Sequence, residues 1–141
     1  MKRNGFTLIE ITIALLIMGL FLHLLIANWS GILSESRLES QAKMIKAFIE
    51  FAREEAVNKC IKIELIFKEN EVKAIKSGGN EDTIKSITLE GASFKMEGEE
   101  RVYIDELGKI SGKIPLLFYE GKSIEFKIVN PILGIVSYEI K

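Results

Sequence analysis

Hydrophobic and polar positions divide this chain into three stretches with different periods. From Phe6 to Trp29 the residues are apolar almost throughout, and no Asp, Glu, Lys or Arg falls between Ile11 and Trp29. As a helix this run is about 36 Å long, enough to cross a bilayer. From Leu33 to Cys60 the apolar positions Leu38, Ala42, Ile45, Ile49, Ala52 and Ala56 recur at alternating spacings of four and three. That spacing predicts a helix with one buried face, which Phe48, Phe51 and Val57 widen. Large apolar residues outside the seam argue against a strict coiled coil. With no proline between Phe6 and Cys60, the two stretches predict one nearly continuous helix of about 80 Å. Ser30-Gly31 is its weakest point.

From Ile61 the period becomes two. Ile61, Ile63, Leu65 and Phe67 alternate with polar neighbours, which predicts a half-buried strand. Lys68-Glu69-Asn70 turns the chain into Val72–Lys76, and Ser77 to Asp82 reads as a loop. Further strands are expected over Ile84–Leu89, Ser93–Met96, Arg101–Ile104, Ile114–Tyr119, Lys122–Val129 and Ile135–Ile140. Glu97 to Glu100 reads as an acidic turn, Glu120-Gly121 as a two-residue hairpin turn, and Asn130-Pro131 as a break. Helix followed by strands predicts an α+β fold: a long helix on an antiparallel β domain, in two packed sheets or one strongly curved sheet.

Composition sharpens this division. The chain of 141 residues is 48% hydrophobic and 28% charged, with 19 Lys and Arg against 20 Asp and Glu. Apart from Lys2, Arg3 and Glu10, every charged side chain lies after Trp29. The remainder thus has the composition of a soluble domain without the basic surplus of a nucleic-acid binder. One Cys and one His rule out an intrachain disulfide and leave no basis for a Cys/His zinc cluster. Cys60, where the helix meets the first strand, is expected to be a buried free thiol. His23, inside the apolar run, is expected to face a neighbouring helix or a shielded polar contact.

The N-terminal segment admits more than one reading. Lys2 and Arg3 ahead of an apolar run resemble a secretory signal, but the run is longer than an ordinary signal core, and Leu25-Ile26-Ala27 is a poor cleavage site. A plain membrane anchor fits the length, with a cytoplasmic N-terminus and Trp29 at the far interface. Neither reading explains Glu10, because a carboxylate entering the membrane normally has a partner.

Gly5-Phe6-Thr7-Leu8-Ile9-Glu10, behind a short basic leader and ahead of an apolar helix, resembles the signal of type IV pilins and type II secretion pseudopilins. The resemblance implies cleavage after Gly5 by a prepilin peptidase and N-methylation of Phe6. It further implies that Glu10 meets the Phe6 amine of a neighbouring subunit and sets the register of assembly. Leu8, Ile9, Ile11, Ile13, Leu15, Leu16, Ile17, Leu20 and Leu24 would then line the membrane or filament core. This sequence lacks the helix-kinking proline common in the middle of this segment of major pilins, where Gly19 alone offers a weak point. The implied segments are a leader (1–5), a membrane and filament-core helix (6–29), an amphipathic helix (30–60) and a β domain (61–141). The implied partners are the peptidase, other pilin or pseudopilin subunits, an inner-membrane assembly platform and the lipid bilayer; the balanced charge argues against DNA as a partner. The implied location is the bacterial inner membrane, with the globular domain outside, and then the filament or its tip.

Three further pieces, Ala52-Arg53-Glu54-Glu55-Ala56, Val102 to Lys109 and Gly134-Ile135-Val136, are similar to the H-type minor pseudopilins and related minor pilins. Enzyme readings find little support. No Gly-x-Ser-x-Gly, P-loop or His-x-x-x-His occurs, and the acid pairs Glu54/Glu55, Glu99/Glu100 and Asp105/Glu106 read as surface charge. Asp105 and Glu106 lack the clustered ligand spacing of a calcium loop. No catalytic residue, metal or cofactor is expected. A binding module that captures DNA or a partner protein is the alternative function, and a basic groove would favour it.

Overall fold

The computed structural model describes residues 7–78, 82–96 and 98–141, with the backbone alone over 27–32. The chain divides after Ser34 into two compact units. Helix α1 (Leu8–Lys59) has 52 residues, in keeping with the absence of proline. Among the described residues nine strands follow: β1 (Ile63–Lys68), β2 (Glu71–Lys76), β3 (Thr83–Thr88), β4 (Ser93–Lys95), β5 (Glu100–Ile104), β6 (Ile110–Ser111), β7 (Leu116–Tyr119), β8 (Lys122–Asn130) and β9 (Ile135–Ile140). They form two antiparallel sheets, in the orders β3-β2-β1-β5-β6 and β4-β7-β8-β9. The fold is α+β, as the change of period from 3.6 to 2 requires.

In the second unit, Leu38, Ala42, Ile45, Ile49, Ala52 and Ala56 are all fully buried. They share one core with residues of both sheets. Each buried Leu or Ile contributes about 2 kcal/mol. Phe67 of β1 meets Phe94 of β4 edge to face, with ring centroids 5.2 Å apart, and this contact joins the sheets. One backbone bond reinforces the junction, Phe94 N–H donating to Glu69 O at 2.7 Å. The β7–β8 hairpin turns through Glu120 and Gly121, whose φ angles are 46° and 83°. Positive values at both central positions match the right-handed twist of the strands.

Several expectations are corrected. β1 is not half-buried: Ile63, Leu65 and Phe67 face the core, while Glu64 and Ile66 are also below a tenth exposed. β1 is central in its sheet, and Arg101 Nη1 lies 2.6 Å from Glu64 Oε1 on its outer face. Glu64 and then Glu99 hold the Arg101 guanidinium above its ordinary pKa. The strands on either side of the acidic turn do not share a sheet, since β4 pairs with β7 and β5 with β1. Strand β6 is too short for a two-residue period to reveal, and Pro115, which has no N–H, precedes the later start of β7 at Leu116. Val57 is 41% exposed, at the margin of the stripe. Within the two predicted turns, Gly79–Glu81 and Glu97 lie outside the described residues.

Cys60 is exposed, against expectation. It is the residue just past the helix, at φ 51°. Ile61 N–H donates to Ala56 O and Cys60 N–H to Val57 O, closing the last turn in a left-handed cap. Such a position favours glycine, so Cys60→Gly is expected to stabilise the domain by about 0.5–1 kcal/mol, read from the denaturant midpoint.

The three pieces that resembled the minor-pseudopilin branch converge on one side chain. Arg53 Nε donates to Gly108 O at 3.2 Å, and Gly134 (φ +65°) packs so closely that a methyl group there would run into Arg53 Cδ and Nε. Gly134→Ala therefore combines backbone strain with loss of the Arg53–Gly108 contact. The expected cost is about 1–3 kcal/mol, and Arg53→Ala should make the second change less costly. Strict additivity of the two variants in denaturant unfolding would contradict this arrangement.

Candidate functional site

The candidate site begins where α1 begins. Thr7 precedes the first helical residue, and its side chain satisfies backbone donors that a helix start leaves without partners. Glu10 N–H lies 3.3 Å from Thr7 Oγ1 and 3.0 Å from Thr7 O. In return, Glu10 Oε2 accepts the Thr7 N–H at 2.8 Å and the Thr7 hydroxyl at 3.0 Å. This reciprocal arrangement is a capping box. An ordinary anchor left Glu10 unexplained, and the cap supplies a role inside the single chain: the carboxylate is solvated by Thr7 at the membrane entry. Thr7 was not singled out from the sequence, although its signal was present as Thr-x-x-Glu at the head of an apolar run.

Leu8–Ile26 is the one helix among the described residues long and apolar enough to cross a membrane, and none of its residues is buried. Leu8, Ile9, Ile11, Ile13, Leu15, Leu16, Ile17, Leu20 and Leu24 are all exposed. Their side chains point to every side of the helix, so the segment needs an apolar environment all round, lipid or other helices. His23 is exposed within the same stretch. Gly5 and Phe6 lie outside the described residues, as does the Trp29 side chain.

In the β domain, Asp105 is occupied by its own loop: Oδ1 accepts N–H bonds from Leu107 at 3.0 Å and Lys109 at 2.8 Å. No group of three or more His, Cys, Asp or Glu able to hold a metal occurs among the described residues. Charges pair locally, as in Lys68–Glu99 at 3.2 Å and Lys122–Glu35 at 2.9 Å. Hydrogen bonding to Lys68, and then its charge, hold the Glu99 carboxyl below its ordinary pKa.

The cap has a measurable consequence. Thr7→Val removes the hydroxyl that receives Glu10 N–H, at a cost of about 1 kcal/mol. Amide exchange at Glu10 should then be roughly fivefold faster in detergent micelles, whereas Thr7→Ser should leave it unchanged. Equal exchange in all three chains would show that the box contributes nothing.

An apolar helix with one acid at a capped start is a specific pattern, and the comparisons address that segment. Residues 1–26 match the family model described as the prokaryotic N-terminal methylation motif. No curated protein and no solved structure gave a match. At its N-terminus the chain therefore carries the prokaryotic N-terminal methylation motif, the mark of type IV pilins and pseudopilins.

Proposed function

We propose that the chain is a structural subunit of a pilin-like filament, a minor pseudopilin or minor pilin of a type II secretion, type IV pilus or competence system. The observation that carries this reading is the methylation motif at residues 1–26 joined to a helix, Leu8–Ile26, with no buried residue. The precursor inserts with its N-terminus in the cytoplasm, because Lys2 and Arg3 stay on that side. A prepilin peptidase cuts after Gly5, removing the leader (1–5), and Phe6 is N-methylated. The helix of residues 6–29 then leaves the bilayer for the filament core, the amphipathic helix (30–60) carries the β domain (61–141), and packing against neighbouring helices replaces lipid contact.

Within that core Glu10 meets the Phe6 amine of a neighbouring subunit. In a low-dielectric setting an ion pair is favourable when complete and costly when half-made, which penalises wrong registers. The capping box is compatible with this role, since both Thr7 bonds fall on the single oxygen Oε2. The alternative is a binding module for DNA or a partner protein, and its DNA form is weakened because Lys43, Lys59, Lys68, Lys122, Lys127 and Lys141 each have an acidic partner.

Mass spectrometry of the chain from cells with an active prepilin peptidase tests the processing. The expected product begins at Phe6 and carries one added methyl group, and recovery of uncut precursor alone would overturn the reading. Glu10→Ala should be processed normally yet enter filaments about tenfold less, or worse. Incorporation at the wild-type level would remove the register role while leaving the subunit assignment intact.

A further inference from the structure

A cleft of about 470 Å³ opens between α1 and the connection from β3 to β4. One turn of the helix supplies Arg37, Ser40 and Gln41, whose spacing puts them on a single face. Glu90 and Gly91 of the connection and Tyr119 at the end of β7 complete the lining. The volume is that of a small-molecule site. The cleft lies wholly within the second unit, so nothing about it depends on the filament reading. Part of it is rigidly held: Gly91 lies so close to Tyr119 that a methyl group there would come within 3.1 Å of the ring, and Tyr119 is buried.

The polar groups of the cleft sort into donors and acceptors. Arg37 Nη1 donates to the Tyr119 hydroxyl oxygen at 3.4 Å, which leaves the rest of the guanidinium fork and the hydroxyl hydrogen uncommitted. The acceptors are the Glu90 carboxylate, the Ser40 hydroxyl and Gln41 Oε1. Gln41 Oε1 is buried and has no hydrogen-bond partner, a costly state for an acceptor. A turn about the soft terminal torsion of the side chain would present it to the cleft. Among the described residues, Arg37 and Glu90 form no ion pair with each other or with any other side chain. Tyr119, and after it the charges of Glu120 and Glu90, hold the Arg37 guanidinium above its ordinary pKa. Opposite charges thus border one cavity without neutralising each other by contact.

We propose that this cleft binds a small zwitterion in which a primary ammonium and a carboxylate share one short scaffold, the chemistry of a free amino acid. The carboxylate takes the Arg37 fork, which matches two oxygens, and the Tyr119 hydroxyl. The ammonium group has three N–H donors and meets the three acceptors Glu90, Ser40 and Gln41. A simple anion is repelled by Glu90 and Glu120, and a simple cation by Arg37. A ligand with both charges escapes both penalties, so the selection is made by the unfavourable contacts as much as by the favourable ones. The buried Tyr119 ring offers no open face for stacking. A bound ligand would bridge α1, the β3–β4 connection and β7, and would stabilise the domain by mass action.

Nuclear magnetic resonance of the full chain in detergent micelles tests the cleft, with glycine and a mixture of the standard amino acids as probes. At up to about 20 mM probe, which covers weak binding, a saturable shift of the Gln41 side-chain amide and the Gly91 N–H is expected. Acetate or methylammonium alone should shift neither signal. Arg37→Gln and Glu90→Gln should each weaken binding by roughly tenfold or more. Both should leave the melting temperature without ligand unchanged, because the two side chains are exposed. No saturable shift with either probe would overturn the proposal, as would an equal response to acetate or binding undiminished in both variants. A response to O-phosphoethanolamine or to glucose but not to amino acids would overturn it too.

Discussion

The apolar stripe from Leu38 to Ala56 is the contact on which the β domain depends. Strands of both sheets share a single core with it, and the sheets meet each other at Phe67 and Phe94. Ala42, Ala52 and Ala56 are fully buried along with the larger residues of the stripe. The strands among the described residues, several only two to four residues long, acquire their stability from this common core rather than from their own length. The same residue pattern therefore sets both the helix face and the concave sides of the sheets.

Helix α1 meets two different requirements along one backbone. Over Leu8–Ile26 apolar side chains occur on every side and none is buried, which suits hydrocarbon or a bundle of like helices. From Leu38 onward only one face is apolar, which suits a domain in water. The capping box at Thr7 and Glu10 opens the first part and satisfies helix-end donors within the chain itself. The left-handed cap at Cys60 belongs to the second, where it ends the helix and leads the chain into β1.

Much of this was legible from local pattern. The 4-3-4-3-4 spacing selected six helix residues that are all fully buried, and Glu120-Gly121 identified a hairpin turn with positive φ at both positions. Other features were hidden because they arise between distant segments. A two-residue period on β1 implies one wet face, yet Glu64 and Ile66 are buried because the strand is central and Arg101 from β5 lies over its outer side. Cys60 is exposed because its position is set by helix termination rather than by the helical stripe. The sheet change between β4 and β5 likewise depends on which partners each strand meets, and strand periodicity is silent on partners.

The sequence alone determined the membrane-length helix, the motif at its head, the helix face that enters the core and the α+β order. Each of these is a local property, written in hydropathy, in capping residues and in period. Only the tertiary structure decided that Arg53, Gly108 and Gly134 meet, and that Arg37, Gln41, Glu90 and Tyr119 line one cleft. Those groupings join residues tens of positions apart in the chain, and no local period encodes them. They exist because two sheets close over one helix and bring its turns beside the connections between strands.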